Sequence, residues 1–441
     1  MVEDLTKWGN WCFRRYSVNL GFMTVKSGNI TTESILTGRE AMALEDRYGA
    51  HNYHPLPVVL TRGEGVFVWD LEGKRYYDFL SAYSAVNQGH CHPRIVNALI
   101  DQAKELTLTS RAFYNDKLGL AEKYICEMFG YQKSLFMNSG AEAVETAMKL
   151  ARKWGYEKKK IADNEAVLVF VRQNFHGRTT SIISASTDPD SRRGFGPFMP
   201  GIEVVDYDDT EALARVLRNP NVCGLIVEPI QGEAGVFVPH EGYLREARKL
   251  CNEFNVLLIL DEIQTGLGRT GKMLASDYEG VRADVLVLGK ALSGGMLPVS
   301  CVLADDEIML VINPGEHGST FGGNPLAAVV CIESLQVIVD EGLAENAYRM
   351  GIDFRERMQA LADKTSLLSG VRGKGLLNAI VINDTPESDT AWNLCVRMMN
   401  NGLLAKPTHG NIIRLAPPLV ITADQLHECC DIISKVILAG R

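Results

Sequence analysis

The sequence lacks hydrophobic runs long enough to cross a membrane. The longest uninterrupted apolar runs, such as residues 326–332 and 256–260, fall far short of the roughly 18 residues that a transmembrane helix needs. Basic charge is also scarce, since 45 Lys and Arg face 54 Asp and Glu and give a formal net charge of -9. The field of such a chain repels nucleic acid and anionic lipid as a whole, although a local basic site is still compatible with it.

Cysteine provides no framework of disulfides or metal ligands. The ten cysteines are scattered and no C-x-x-C pair occurs, which favours a reducing intracellular compartment. The sequence does not distinguish the mitochondrial matrix from the cytoplasm. The first 33 residues carry no secretory apolar region, and their acidic residues fit a transit peptide poorly, so we expect an ordered arm or a partial targeting segment.

The organisation of the chain indicates an α/β protein with more than one domain. At 441 residues, 46% of them hydrophobic and 22% charged, it can bury a large core. Residues 58–79 alternate apolar and polar residues between glycine turns, which predicts a small antiparallel meander. Helical periodicity over 117–129 then introduces a series of short apolar runs separated by helical stretches, which predicts a mostly parallel sheet covered by helices. These runs are 134–137, 166–171, 224–227, 256–260, 285–288 and 299–303.

The pattern of helices and strands changes over the last hundred residues, which predicts a smaller α+β domain. Helices are expected at 344–361 and 423–438, with short strands around 375–381 and 411–415. The predicted division is therefore an N-terminal arm and meander at 1–83, a large domain at 84–344 and a C-terminal domain at 345–441.

A glycine motif at Gly266, Gly268 and Gly271 imitates a nucleotide-binding loop. It spells G-x-G-x-x-G, but five polar or mixed residues separate it from the preceding apolar run, whereas a dinucleotide fingerprint follows its strand at once. Read as G-x-x-x-x-G-K, it has Met273 where a P-loop needs Ser or Thr. An ATPase or dehydrogenase is therefore the weaker hypothesis.

Two charged residues follow neighbouring apolar runs and predict a ligand crevice. Asp261 ends the run at 256–260, and Lys290 follows the run at 285–288. Because ligands of parallel sheets lie outside the carboxyl ends of the strands, both side chains are expected to face one crevice. A lysine amine and a carboxylate are what pyridoxal 5'-phosphate (PLP) requires, for its aldehyde and its ring nitrogen respectively. A turn-capping Asp and a surface Lys are the alternative.

A phosphate site is predicted at Ser139, Gly140 and Ala141. A predicted strand ends just before them and a helix begins there, so free N–H groups and the helix dipole favour a dianion. Taken alone, an ordinary capped helix explains the same residues.

Together these segments resemble the class III, or omega-amino-acid, aminotransferases of the fold-type I PLP enzymes. The resemblance extends from about residue 34 to the C-terminus. The segments that carry it are NSGAEAVETAMKLAR (138–152), NFHGRT (174–179), VEPIQGEAG (227–235), LDEIQTGLGRTG (260–271), LGKALSGG (288–295) and HGSTFGGNP (317–325). Residues 49–93 and 412–421 look like the members that act on ornithine.

The resemblance implies roles for individual residues around the cofactor. Lys290 would bind PLP covalently and then move the proton, and Asp261 would pair with the ring nitrogen. Gln264 would bond the ring oxygen, and Phe175 and Ile263 would enclose the ring. Phosphate contacts would come from Ser139, Gly140 and Ala141, and from Ser319 and Thr320 of a neighbouring subunit, which implies an obligate homodimer.

The resemblance also implies how two substrates share the site. Tyr53 and Arg178 would hold the amino acid end of ornithine, with Tyr83 shaping the pocket. Arg414 would bind the α-carboxylate of 2-oxoglutarate or glutamate, and Glu233 would neutralise Arg414 while ornithine is bound. An acetylornithine or 4-aminobutyrate transaminase is the alternative within the family, and Tyr53 and Tyr83 argue against it. No metal is implied: His51, His54, His90 and His92 lack further ligands at zinc spacing.

Overall fold

The structure is a computed structural model that describes residues 37–440, so the expectations for the first 33 residues lie outside the described part. Within it, helices alternate with strands along most of the chain. The helices are α1 (Gly38–Tyr48), α2 (Ser81–Ser84), α3 (Pro93–Glu105), α4 (Leu118–Phe129), α5 (Gly140–Glu157), α6 (Pro189–Arg192), α7 (Thr210–Leu217), α8 (Tyr243–Glu253), α9 (Asp306–Met309), α10 (Pro325–Asp340), α11 (Leu343–Ala362), α12 (Thr390–Asn400) and α13 (Ala423–Leu438).

The strands of the described residues form three sheets. They are β1 (Leu60–Glu64), β2 (Phe67–Asp70), β3 (Arg75–Asp78), β4 (Lys133–Met137), β5 (Val167–Val171), β6 (Ile202–Val205), β7 (Val222–Val227), β8 (Leu257–Asp261), β9 (Val285–Leu288), β10 (Ser300–Ala304), β11 (Leu368–Lys374), β12 (Leu377–Ile382), β13 (Leu403–Leu404), β14 (Lys406–Thr408) and β15 (Ile412–Leu415). The antiparallel meander, the six apolar runs and the two C-terminal helices predicted from the sequence are confirmed as elements.

The central sheet has seven strands in the order β4-β10-β9-β8-β7-β5-β6. Strands β6, β5, β7, β8 and β9 pair in parallel, whereas β10 runs antiparallel to both β9 and β4. Every residue of β7, β8 and β9 is buried, as expected for strands covered on both faces. The mostly parallel α/β sheet predicted from the apolar runs is confirmed, and the carboxyl ends of β8 and β9 lie side by side.

Two smaller sheets flank this layer. One has the order β1-β2-β3-β13, in which the short late strand β13 pairs in parallel with β3, and the other has the order β11-β12-β15-β14. The first sheet therefore joins the beginning of the described chain to its last fifth. The boundaries at 83/84 and 344/345 stay predictions.

The turn α2 at Ser81–Ser84 has an unusual backbone. All four residues have left-handed φ angles, from 45° at Ala82 to 74° at Ser84, although none is glycine. A left-handed turn costs roughly 1–2 kcal/mol for each residue with a Cβ. Asp78 accepts hydrogen bonds from the backbone N–H groups of Leu80 and Ser81, and the Ser81 hydroxyl donates to the carbonyl of Ala416 at 2.7 Å. These bonds hold the turn that presents Tyr83.

The glycine motif at 266–271 is part of the core. Gly268 and Gly271 have φ angles of 87° and 96°, and the Arg269 side chain between them is fully buried. Its guanidinium donates to the Asn87 side chain and to the carbonyls of Leu376 and Pro417. The loop therefore links the central sheet to the C-terminal part of the chain. None of the helices in residues 37–440 is both long and apolar enough to span a bilayer.

Candidate active site

The carboxyl ends of β8 and β9 open into a cavity of about 180 Å³. Asp261 is the last residue of β8, and Lys290 follows β9 after one glycine. The structure thus brings together the two charges predicted to share a crevice. The other residues that line the cavity are Gly140, Ala141, Phe175, His176, Gly177, Glu228, Ile263 and Gln264.

Asp261 is buried, with 4% of its surface exposed, and it is paired with a histidine. The Nδ1 atom of His176 donates to Oδ2 of Asp261 at 2.6 Å, and the backbone N–H of Ile263 donates to Oδ1 at 3.1 Å. Burial opposes a positive charge on His176, but the hydrogen bond to Asp261 and the negative charges of Asp261 and Glu228 together outweigh burial, so the pKa of His176 is raised. Two hydrogen-bond donors thereby orient the carboxylate.

Lys290 lies at the start of a 3-10 turn, Lys290–Ser293, with a left-handed φ of 46°. Burial lowers the pKa of its amine, and the negative charge of Asp261 opposes that shift. The amine makes no hydrogen bond with another described side chain or carbonyl. A lysine with a lowered pKa and no such bond is suited to nucleophilic attack and to proton transfer.

Ser139 caps helix α5, as predicted for the phosphate site. Its hydroxyl accepts the N–H of Glu142 at 3.2 Å, and the Glu142 carboxylate accepts the N–H of Ser139 at 2.7 Å. A Cβ at Gly140 would lie 3.0 Å from the side chain of Ile263, so glycine leaves room between the helix terminus and the cavity. Ser139 itself is exposed beside the cavity, and Gly140 and Ala141 line it.

Ser319 and Thr320 do not line this cavity in the described chain. The Ser319 hydroxyl accepts a hydrogen bond from the Asn138 amide of the same chain at 2.8 Å, and Thr320 is exposed. Their contact with cofactor phosphate across a subunit interface stays a prediction.

A second glycine, Gly232, makes room for Gln264, which lines the cavity. A Cβ at Gly232 would lie 1.6 Å from Oε1 of Gln264, so the Gln264 amide occupies the space that a side chain would fill. Its Nε2 atom lies 3.5 Å from the carbonyl of Tyr83. Together with the Phe175 ring, the lysine, the carboxylate and the helix terminus, this groove has the donors and the shape that fit PLP.

A larger cavity of about 430 Å³ adjoins the first and shares Phe175, His176 and Gly177 with it. All five residues predicted to bind substrate line it: Tyr53, Tyr83, Arg178, Glu233 and Arg414. Tyr53 and Arg178 are exposed at its mouth, and the Arg178 guanidinium lies 5.7 Å from the Phe175 ring centroid.

Arg414 and Glu233 form an ion pair deep in this cavity. Arg414 is 2% exposed, and its Nη1 atom donates to Oε2 of Glu233 at 2.7 Å. Burial opposes the charge on Glu233, but Arg414 outweighs it and lowers the pKa of that carboxyl. The guanidinium also lies 4.9 Å from the Tyr83 ring centroid. Their roles toward substrates stay predictions.

No role was predicted from the sequence for Glu228 or Lys406, and the hydrogen bond from His176 to Asp261 was not predicted either. Glu228 follows β7 just as Asp261 ends β8, so the rule that found Asp261 could have found it. Its Oε2 accepts the N–H of Phe175 at 3.0 Å, and burial raises its pKa to about 7. No sequence signal marks Lys406, whose neighbours depend on strand register.

The histidines considered for a metal have other partners. His90 contacts Asp78 at 2.8 Å, His92 contacts Glu341 at 2.9 Å, and His54 stacks on Trp392 at 4.2 Å. Among residues 37–440, no group of three or more His, Cys, Asp or Glu side chains is placed to hold a metal ion.

The chain is similar to aminotransferases along almost its whole length. Residues 48–437 match the model of the family "Aminotransferase class-III". An ornithine aminotransferase, mitochondrial, from Drosophila melanogaster is 59% identical over 97% of this chain and 98% of its own length. An ornithine aminotransferase from Plasmodium falciparum is 53% identical over 92% of this chain and 97% of its own length.

Solved structures agree with this similarity. The ornithine aminotransferase from Toxoplasma gondii has a TM-score of 0.90 and 48% identity, covering 92% of this chain and 96% of that one. The acetylornithine aminotransferase from Elizabethkingia anophelis has a TM-score of 0.85 and 57% identity, covering 92% of this chain and 100% of that one. The chain belongs to the class-III aminotransferases, enzymes that depend on PLP.

Proposed function

We propose that this enzyme transfers the δ-amino group of L-ornithine to 2-oxoglutarate. The products would be glutamate 5-semialdehyde, which cyclises to pyrroline-5-carboxylate, and L-glutamate. Curated relatives with the name ornithine aminotransferase, 59% and 53% identical, support the donor substrate. The observation that carries the proposal is the ion pair of the buried Arg414 and the partly buried Glu233, 2.7 Å apart, in the cavity next to that of Lys290.

This pair suits an enzyme that accepts two differently oriented substrates in turn. Arg414 can bind a carboxylate through two N–H groups. If Arg414 were not paired with Glu233, it would bind the α-carboxylate of ornithine and so place the α-amine, rather than the δ-amine, at the reacting position. With Glu233 in place the guanidinium is neutralised, and ornithine enters with its carboxylate toward Tyr53 and Arg178. With Glu233 displaced, Arg414 binds the α-carboxylate of 2-oxoglutarate. The two half-reactions follow each other in a ping-pong mechanism.

The residues of the smaller cavity divide the chemical work. PLP, when bound, supplies an electron sink for the substrate carbon that loses its proton. Lys290 removes that proton and returns it elsewhere, because its lowered pKa leaves the amine free of a proton more readily. Asp261, fixed by His176 and by the N–H of Ile263, would pair with the ring nitrogen of the cofactor. Phe175 and Ile263 would enclose the ring and exclude water from it.

A substrate panel tests the proposal. With 2-oxoglutarate as acceptor, we expect ornithine to exceed N-acetylornithine, 4-aminobutyrate and lysine in kcat/KM, with Lys290→Ala as the inactive control. An acetylornithine transaminase is the second candidate, because the Elizabethkingia anophelis neighbour has that name. A preference for N-acetylornithine or 4-aminobutyrate in this panel would refute the ornithine assignment.

The ion pair of Arg414 and Glu233 acts as a gate, since it decides whether Arg414 can bind a carboxylate. Replacing Glu233 tests this gate separately. In Glu233→Ala the guanidinium of Arg414 is never neutralised, so we expect ornithine to react increasingly through its α-amine. The ratio of the two products, separated by chromatography, measures this. An unchanged ratio would show that Glu233 does not control the orientation of ornithine.

Assembly and location belong to the same proposal. We infer a homodimer in which Ser319 and Thr320 of each subunit reach the cofactor phosphate of the other. Sedimentation of the holoenzyme and the cofactor affinity of Ser319→Ala test this. The proposed location is intracellular, in the mitochondrial matrix or the cytoplasm, and the Drosophila relative has the word mitochondrial in its name.

A further inference from the structure

Lys406 is a cation beside the gate that the proposed mechanism does not use. It lies in β14 directly opposite Arg414 in the antiparallel strand β15. Residues opposed in this way project from the same face of a sheet, about 5 Å apart at their Cβ atoms. Both side chains line the larger cavity. Like charges in this arrangement repel each other, so the pair calls for an anion between them.

Glu233 is that anion, and its backbone is held by the strand that carries Lys406. The Thr408 hydroxyl, two residues from Lys406 in β14, donates to the carbonyl of Glu233 at 2.8 Å. The Glu233 carboxylate meanwhile binds Arg414 at 2.7 Å. The backbone of Glu233 is thus fixed beside β14, and the charge of its carboxylate already acts on the Lys406 amine.

Lys406 itself has no partner in the described structure. Its ammonium makes no hydrogen bond and no ion pair with any residue of 37–440. The side chain is half-buried, and burial lowers the pKa of its amine, while the charge of Glu233 opposes that shift. An unpaired, partly desolvated cation next to a carboxylate that is engaged elsewhere is available to receive that carboxylate.

We propose that the carboxylate of Glu233 pairs with Lys406 when Arg414 binds the acceptor acid. The inference rests on the proposed gate. A displaced Glu233 without a cation would be an unpaired, largely buried anion beside an incoming dianion, which is strongly unfavourable. Lys290 and His409 are the other basic side chains near Glu233. Lys290 is the reacting amine, and His409 is exposed to water, where an ion pair contributes little, which leaves Lys406 as the positioning residue.

The test compares Lys406→Met with Lys406→Arg in the holoenzyme. Glutarate, a dicarboxylate that cannot react, is titrated by calorimetry, and KM is measured for both substrates. We expect Lys406→Met to raise the Kd of glutarate and the KM of the acceptor acid about ten-fold, a typical coupling between neighbouring charges. The KM of ornithine should change less than about two-fold, because the gate is closed in that half-reaction, and Lys406→Arg should restore both values. Lys406→Gln is a second neutral variant.

The same substitution in a Glu233→Gln background separates the gate from a direct attraction. There no carboxylate has to be displaced, so Lys406→Met should leave the Kd of glutarate within about two-fold. A ten-fold loss that persists in this background would mean that Lys406 binds the dicarboxylate itself, and would overturn the proposal. An unchanged Kd in the single variant, or an equal loss for ornithine, would overturn it too. Failure of the wild-type enzyme to use ornithine would instead refute the proposed substrate, since glutarate binding does not depend on it.

Discussion

Replacing Glu228 with glutamine removes a carboxyl group whose charge the fold disfavours. Glu228 is 5% exposed, and burial raises its pKa from 4.5 to about 7, with the nearby charge of Asp261 acting in the same direction. Because the folded pKa is the higher one, the folded chain keeps a proton that the unfolded chain loses. The stabilising effect is complete below about pH 4.5 and is lost as pH rises to about 7.

The size of the effect follows from the shift. Each pKa unit corresponds to about 1.4 kcal/mol, and integrating over the range from pH 5 to pH 8 shows that the wild-type protein loses about 2.5 kcal/mol through this group. Glu228→Gln does not titrate, and its amide oxygen can still accept the N–H of Phe175, which donates to Oε2 at 3.0 Å. We expect the variant to gain about 2.5 kcal/mol relative to the wild type over this pH range.

Urea unfolding of the cofactor-free protein at pH 5, 6, 7 and 8 measures this difference. Glu203→Gln, on an exposed position of β6, is the matched control because it removes the same charge from the surface. If the difference between Glu228→Gln and the wild type were independent of pH, Glu228 would not hold a proton in the folded state, and the reasoning would be wrong.

Three further predictions concern the cofactor groove. Lys290→Ala should lose the covalently held cofactor and its yellow colour. Its fold should be unchanged, as measured by circular dichroism. A variant that stayed yellow after denaturing gel filtration would contradict the covalent role of Lys290. Gly232→Ala should displace the Gln264 amide, because the new Cβ would lie 1.6 Å from Oε1 of Gln264. We expect the affinity for PLP, measured by fluorescence titration, to fall about ten-fold with little change in Tm. An unchanged affinity would contradict this prediction. His176→Phe should destabilise the cofactor-free protein by about 3 kcal/mol, since it leaves Asp261 buried without its partner. His176→Asn retains a donor and should lose less of the free energy of unfolding. Equal losses in urea unfolding would contradict the role of the hydrogen bond.

Much of the core of the site could be predicted from the sequence because it depends on local patterns. Strands β8 and β9 are apolar runs too continuous for a surface, and the rule that ligands lie beyond the carboxyl ends of parallel strands then locates Asp261 and Lys290. The N-terminus of α5 is likewise marked by Ser139 and by Glu142 three residues later, a capping box.

Other features depend on contacts between distant segments and carry no local signal. Strand β6 is a short edge strand that includes a glutamate, so its pattern is weak. The bond from His176 to Asp261 joins residues 85 positions apart, and the opposition of Lys406 and Arg414 depends on the register of β14 against β15. Periodicity describes which face a residue occupies but not which residue of another strand it meets.

The pairing of β13 with β3 has a consequence for synthesis of the chain. Strand β3 (Arg75–Asp78) leaves the ribosome more than three hundred residues before its neighbour β13 (Leu403–Leu404), and the left-handed turn that carries Tyr83 waits for its bond to the carbonyl of Ala416. Until then the N-terminal sheet exposes an unpaired edge, which is a site for aggregation in incomplete chains. We therefore expect chains truncated before residue 403 to bind chaperones and to lack a formed active site.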